Sequence, residues 1–302
     1  MVVSISALVA SVFVVQTIFA FTNLSSQVTV GTAAPSVTGV VINGGSPITL
    51  VGNATTTVNV TATITDANGC SEITPGTTTI LLYRNGSGVS SSTCLTTPNQ
   101  LNCYQAFAFT ASSTCSGSSQ TATTTFALQY FAQATDVSSS FSGQKWFATV
   151  LFRTPDNTTG TGDVLTGVTL NTTNAINVTT SSINYGTITA NSDTGSTNQS
   201  TTVANVGNSS TSLQINALST LVSSSSFAIA TSSQGYYTAP FTYPGASTPL
   251  TGTAATVAAF TLTSPSSTTS PTGTIYWGLG VPNATPSGTY SGTNVYAALW
   301  HA

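Results

Sequence analysis

Charged side chains are almost absent from this sequence. Among 302 residues there are three Lys or Arg, six Asp or Glu and one His, whereas about a quarter of an average soluble domain is charged. Most of the side chains that carry out acid–base, metal and phosphate chemistry are therefore missing, and the cations are too few to form a basic surface for nucleic acid. The composition predicts a secreted, β-rich protein that is not an enzyme and has no nucleic-acid partner.

Alternating side chains predict β-strands along most of the chain. From Thr57 to Thr65, apolar residues alternate with Thr and Asn, which is the pattern of a strand with one buried face and one solvated face. Lys145–Arg153 is apolar on both faces, as in a central strand, and Ile183–Ile188 is a further candidate strand. The sequence predicts a mostly β fold with two antiparallel Ig-like β-sandwich domains, residues 36–160 and 161–302.

The first segment of the chain is different. Val2–Phe21 is apolar, uncharged and long enough to span a bilayer as a helix, and no positively charged region precedes it. We predict an apolar α-helix at residues 1–22, followed by a linker at 23–35. The helix is interpreted as an assembly core, or else as a signal peptide or membrane anchor. The residues expected to carry assembly are Val9, Phe13, Val14 and Ile18.

An N-terminal apolar helix without flanking Lys or Arg, followed by a Ser/Thr-rich β domain, resembles type IV pilin-like and archaellin-like filament subunits. Ile5 stands where bacterial pilins usually carry Glu, which favours the archaeal form. This resemblance implies a homopolymer whose helices bundle in the filament core and whose subunits reside in a membrane before assembly. Val60–Cys70 and Ile275–Asn294 are also similar to segments of uncharacterised secreted β-sandwich surface proteins of uncultivated microbes, which implies an extracellular, cell-surface location.

Four cysteines, Cys70, Cys94, Cys103 and Cys115, lie in one window of the first predicted domain. An even, clustered set in a chain of secreted character indicates two disulfides, and three connectivities are open. The pairing Cys94–Cys103 with Cys70–Cys115 is favoured, because it places a short closed loop inside a wider one. A zinc site is the alternative, but the spacing lacks a CxxC pair.

The sequence predicts no cofactor, and the one candidate weighed against that prediction is a calcium ion. Asp66, Asn68 and Glu72 lie around a turn at Gly69, and Asp136 could join them from another loop. Hard oxygen ligands of this kind suit Ca²⁺. An Asx turn, in which Asp66 and Asn68 bond to the local backbone, is the favoured alternative. No catalytic residues are predicted, since no serine has a base beside it and the acids form no recognisable pair.

Asn-x-Ser/Thr triplets are frequent and indicate sites for glycans. Asn59 and Asn177 lie on the polar faces of predicted strands, and loop positions add Asn85, Asn157 and Asn208. The three tryptophans, Trp146, Trp277 and Trp300, suit either a sugar-binding surface or core packing, and core packing is the more common use.

These observations lead to two functional hypotheses. The first is a structural subunit of an extracellular, pilus-like filament, with the helix in the core and glycosylated β domains outside. The alternative is a membrane-anchored or secreted surface or adhesin protein, for which the N-terminal segment is the anchor or signal peptide and the partners are surfaces or glycans. A third class, a glycan-active enzyme or lectin, is disfavoured by the small number of acids.

Overall fold

The computed structural model describes residues 24–74, 78–86, 88–111 and 114–300. The chain divides into two compact units, Met1–Thr32 and Ala33–Ala302. Residues 24–32, the described part of the first unit, have no regular secondary structure and are exposed to solvent. The second unit is built of antiparallel sheets, and its two halves each enclose a hydrophobic core.

Two four-stranded sheets form the first half of the second unit, with the strand orders β1-β2-β6-β5 and β4-β3-β7-β8. A short helix, α1, precedes β4. The elements are β1 (Ser36–Ile42), β2 (Thr55–Thr65), β3 (Thr78–Asn85), α1 (Ser91–Thr96), β4 (Cys103–Ala106), β5 (Thr110–Ala111), β6 (Ser119–Gln129), β7 (Lys145–Arg153) and β8 (Thr159–Asp163).

The first core lies between these two sheets. Along β2, Val58, Val60 and Ile64 are buried while Asn59 faces solvent, so the alternation in the sequence becomes one dry face and one wet face. Trp146 of β7 is fully buried on the facing sheet and belongs to the same core. Burial of each large apolar side chain contributes about 1.5–3 kcal/mol, so the two inner faces hold the sheets together.

The outer face of β7 is also covered. Phe147 and Leu151 pack against a small second cluster that contains Leu81 of β3 and the Cys94–Cys103 pair. The segment that covers this face carries α1, whose first turn is capped by Ser90: its hydroxyl accepts a hydrogen bond from the backbone N–H of Thr93. This second layer explains why the β7 sequence is apolar on both faces.

A five-strand path, β16-β15-β18-β11-β9, with β10 paired to β18, forms one sheet of the second half. It faces the sheet β17-β12-β20, and a small sheet, β14-β13-β19, lies beside them. The strands are β9 (Ile176–Val178), β10 (Ser192–Asp193), β11 (Gln199–Asn205), β12 (Thr211–Ala217), β13 (Leu221–Ser223), β14 (Ala228–Ile229), β15 (Gln234–Tyr237), β16 (Thr248–Pro249), β17 (Ala255–Leu262), β18 (Thr272–Val281), β19 (Tyr290–Ser291) and β20 (Asn294–Trp300).

The second core is centred on Trp277 of β18. Trp277 is fully buried and packs with Val203 of β11 and with Leu213 and Phe260 of the facing sheet. Its indole N–H donates a hydrogen bond to the hydroxyl of Thr201 at 3.1 Å. The large ring is thus buried with its one polar group satisfied, as buried Trp side chains require.

Polar side chains join the two halves of the second unit. The Tyr130 hydroxyl lies 2.7 Å from Ser270 Oγ. The Asn208 amide donates to the carbonyls of Ala132 and Asn171 at 3.1 Å, and its oxygen accepts from the N–H of Thr173. Val164, Val168 and Leu170 pack in the first core, so the chain leaves that core only after Leu170.

The structure confirms a mostly β fold of antiparallel sheets, and Lys145–Arg153 is a central strand. The candidate strand Ile183–Ile188 is wrong, since this segment has no regular secondary structure. The resemblance to pilin-like subunits is also wrong for the described part of the chain, where the one α-helix, α1, has six residues and no helix is long and apolar enough to cross a bilayer. The predicted helix at 1–22, with Val9, Phe13, Val14 and Ile18, lies outside the described residues.

Candidate binding site

The residues proposed for calcium do not come together as a set. Asp66 follows β2, and its carboxylate accepts a hydrogen bond from the Asn68 N–H at 2.8 Å, which is the Asx turn of the alternative interpretation. Asp136 comes after the end of β6, and because β2 and β6 pair antiparallel, this end lies at the opposite end of their ladder from Asp66. The Asp136 carboxylate accepts hydrogen bonds from the N–H and the hydroxyl of Thr172, each at 2.6 Å. Glu72 lies in a short 3-10 turn after Asp66. No group of three or more His, Cys, Asp or Glu side chains in the described ranges is arranged to hold a metal ion.

Both disulfides occur, with the favoured pairing. Cys70 is bonded to Cys115 with their Cα atoms 5.8 Å apart, and Cys94 is bonded to Cys103 with a Cα separation of 5.4 Å. The prediction of two disulfides is therefore confirmed. Cys94 of α1 and Cys103 of β4 are buried on the outer side of the sheet that contains β7. This bond therefore attaches α1 to the sheet that it covers.

The structure separates the proposed glycan sites into two groups. Asn59 of β2 and Asn177 of β9 are exposed, as are Asn85 at the end of β3 and Asn157 in the turn after β7. Glycosylation of these four stays a prediction. Asn208 is a correction: its side chain is buried at the junction of the two halves and its amide nitrogen donates two hydrogen bonds, so no glycan can be attached without breaking that junction.

Two of the three tryptophans are core residues. Trp146 and Trp277 are fully buried and cannot form a sugar-binding surface. Trp300, on the edge strand β20, is 44% exposed.

Arg84 of β3 is a buried cation. Its guanidinium donates to Gln133 Oε1 at 2.9 Å and to Gln144 Oε1, and lies 3.9 Å from the centre of the Phe141 ring. Burial lowers the pKa of Arg84, and amide oxygens and an aromatic face take the place of a carboxylate. Arg84 is therefore a packing residue beside the junction.

The large concavity of the second half lies between its two main sheets. Its volume is about 1240 Å³, and its walls come from β9, β11, β15 and β18 on one side and from β20 on the other. Residues 181–190, here called the strap, and the loop 285–293, which includes β19, also line it, together with Leu221 of β13 and Ile229 of β14. None of the residues in the lining is charged. We refer to this space as the cavity.

The strap is held by side chains rather than by its backbone. Ile183, Tyr185 and Ile188 are half-buried and pack against the neighbouring hydrophobic clusters. No backbone–backbone hydrogen bond joins residues 181–190 to other described residues, and the bond from the Gly186 N–H to Asn184 Oδ1, at 3.0 Å, is local to the strap. The strap can consequently move without breaking a sheet ladder.

A cluster of neutral polar side chains lies in the wall of the cavity. Gln234 of β15 is 1% exposed, and its Oε1 accepts from the Tyr185 hydroxyl and from Asn294 Nδ2, each at 3.2 Å. The Gln234 Nε2 atom is buried and has no hydrogen-bond partner among the described residues. A buried amide donor without an acceptor is costly, typically about 1–3 kcal/mol, so this atom marks a place where an acceptor is needed.

Tyr185 and Tyr296, two tyrosines of the cavity, are neutral at physiological pH. Burial, reinforced by the nearby Tyr296 and Tyr243, raises the pKa of Tyr185 well above its ordinary value. Burial also raises the pKa of Tyr296 to about 12, although its hydrogen bond with Thr201 at 2.8 Å opposes that shift. The site therefore offers hydroxyl and amide groups and aromatic rings, but no formal charge.

Nothing predicted from the sequence marked this site. Within the strap, Ile183–Ile188 was a candidate strand, and Ile183 and Tyr185 do alternate with polar residues. The alternation is real, but Ile183, Tyr185 and Ile188 pack on their neighbours without the backbone pairing of a sheet. A signal that could have found the site is the concentration of tyrosine in the second half of the chain.

No protein-family model matches this sequence, and no curated protein sequence matches it significantly. Among solved structures, the secreted serine protease VesC from Vibrio cholerae is similar over 87% of this chain, with 8% identity and a TM-score of 0.18. The match covers 51% of that structure, so this chain spans about half of its length. A similarity of this size carries no argument about fold or activity. The expectation that the protein is not an enzyme stays a prediction.

Proposed function

We propose that the protein is a non-catalytic surface protein that functions outside the cell, as a secreted or surface-anchored structural component. The two disulfides carry this proposal, because disulfide bonds form and persist in oxidising compartments and are rare in the cytosol. Both bonds lie in the first half of the second unit, where they fix the loops around one sandwich.

The surface chemistry supports the same proposal. With so few charges, the exterior is hydrated mainly by hydroxyl and amide groups. Glycans on exposed asparagines such as Asn59 and Asn177 would add hydration, and we include them in the proposal. The proposal also includes Ig-like folds for the two β-sandwiches. The filament hypothesis depends on a core of helices formed by residues 1–22, which lie outside the described residues. The proposal therefore follows the surface-protein alternative, which does not depend on that helix.

Labelling of intact cells tests the location. An antibody raised against the purified protein should stain unpermeabilised cells, and the protein taken from those cells and unfolded in urea should not react with N-ethylmaleimide until it is reduced. A Cys94→Ser variant, which leaves Cys103 without its partner, is the positive control for thiol labelling. Staining that requires permeabilisation, together with four cysteines that react without reductant, would overturn the proposal.

A further inference from the structure

We propose that the cavity of the second half binds an uncharged oligosaccharide, and that the Gln234 amide donates a hydrogen bond to an oxygen of this sugar. This inference rests on the proposed function and gives it a ligand class. The observation that carries it is the side chain of Gln234, a residue that lines the cavity and whose Nε2 atom is buried and lacks an acceptor among the described residues.

The lining favours a ligand without charge. A charged group that enters a partly desolvated site must be paired, and the residues around this cavity include no Asp, Glu, Lys, Arg or His. Tyr185 and Tyr296 keep their protons at physiological pH, because burial raises the pKa of both. Uronic acids and phosphorylated ligands are therefore disfavoured on electrostatic grounds.

The lining also matches the two kinds of surface that a neutral sugar presents. Asn294 and the serine and threonine residues of the strap offer amide and hydroxyl groups that can exchange hydrogen bonds with sugar hydroxyls. Tyr185, Tyr290 and Tyr296 offer aromatic rings to the apolar C–H faces of a pyranose. A purely apolar ligand would leave the Gln234 donor unpaired, so it is disfavoured.

The size and the walls of the cavity favour more than one sugar ring. Its volume of about 1240 Å³ exceeds the roughly 300–1,000 Å³ typical of small-molecule pockets. The strap and the loop 285–293 flank it, and both are largely exposed on their outer sides. Because no backbone pairing fixes the strap, we expect it to adjust when a chain of sugars enters.

Amide NMR tests the proposal directly. The ¹⁵N-labelled protein is titrated with maltotriose, cellotriose and chitotriose, and with trigalacturonic acid as the charged counterpart. We expect at least one neutral trisaccharide to shift the Gln234 side-chain amide and the strap amides, while the Gln214 side chain on β12, outside the cavity, does not respond. Trigalacturonic acid should not shift the Gln234 resonance.

A matched pair of variants gives the second readout. Gln234→Met removes the donor at similar size, together with the Oε1 atom that accepts from Tyr185 and Asn294. It should weaken binding of the responding trisaccharide by about tenfold, whereas Gln214→Met should leave the affinity unchanged. If circular dichroism shows that Gln234→Met does not fold, the assigned shifts of the unsubstituted protein decide the question alone.

Three results would overturn the inference. The first is the absence of any shift at Gln234 with all three neutral trisaccharides at millimolar concentration. The second is binding of trigalacturonic acid that is equal to or tighter than that of the neutral trisaccharides. The third is a larger shift with trialanine than with any trisaccharide, which would identify a peptide site. The surface labelling described above is independent of these results. A protein that is on the cell surface but binds no sugar refutes this inference alone, and a cytosolic protein that binds sugar refutes only the proposed location.

Discussion

Replacement of Thr201 by Val is expected to destabilise the protein by about 2–4 kcal/mol. Thr201 is buried on β11, and its hydroxyl accepts from the Trp277 indole at 3.1 Å and lies 2.8 Å from the Tyr296 hydroxyl. Val has nearly the same shape, so the packing is preserved while the hydroxyl is lost. Trp277 is fully buried, and its unpaired N–H costs about 1–3 kcal/mol. The Tyr296 hydroxyl borders the cavity and loses a bond worth about 0.5–1.5 kcal/mol.

Urea denaturation followed by tryptophan fluorescence measures this loss. The matched control is Thr202→Val, which makes the same chemical change one residue further along β11. Thr202 is half-buried, and its hydroxyl forms no hydrogen bond with other described residues. We expect the control to change the free energy of unfolding by less than about 0.5 kcal/mol.

A double-mutant cycle isolates the indole bond. Trp277→Phe removes the N–H donor, so Thr201→Val should cost about 1–2 kcal/mol less in that background than in the unsubstituted protein. Two results would refute the reasoning: an equal cost for Thr201→Val and Thr202→Val, or a cost for Thr201→Val that does not depend on Trp277.

Loss of the Cys70–Cys115 disulfide should destabilise the protein by roughly 4 kcal/mol and loss of Cys94–Cys103 by roughly 3 kcal/mol, because the linked residues are 45 and 9 positions apart. The urea midpoints of the two double Cys→Ser variants test this order, and a reversed order would contradict the prediction. Stability should be constant to about pH 10 and fall above it, because unfolded tyrosine ionises near 10 while burial raises the pKa of Tyr104 to about 12. The folded state holds that proton longer, so Tyr104 alone accounts for a loss of roughly 3 kcal/mol between the two values, and Tyr185 and Tyr296, whose pKa values burial also raises, add to it. Melting temperatures from pH 8 to 12 would show the loss, and a Tyr104→Phe variant should lose less. Intact mass and peptide mapping of the native protein should find hexose on exposed sequons such as Asn59 and none on Asn208, and a glycan on Asn208 would show that the junction opens.

Several features were determined by the sequence because they depend on neighbouring residues. The alternation in Thr57–Thr65 specifies which face of β2 is buried, since successive side chains of a strand point to opposite sides. The apolar run Lys145–Arg153 specifies a strand covered on both faces. The close spacing of Cys94 and Cys103 favoured the pairing that the structure contains. In each case the information lies within about a dozen residues of the chain.

Only the tertiary structure determines where the cavity lies, and which polar residues are buried and with which partners. Gln234 is set in place by Tyr185, 49 positions away, and by Asn294, 60 positions away, so its unpaired donor arises from contacts that no local pattern records. The antiparallel ladder of β2 and β6 places Asp66 and Asp136 at opposite ends, although both were plausible ligands of one ion. Asn208 lies in an Asn-x-Ser/Thr triplet like the exposed candidate sites, yet the junction of the two halves buries its side chain. A residue type fixes what a side chain can bond to, but the packing of distant segments determines which partners reach it.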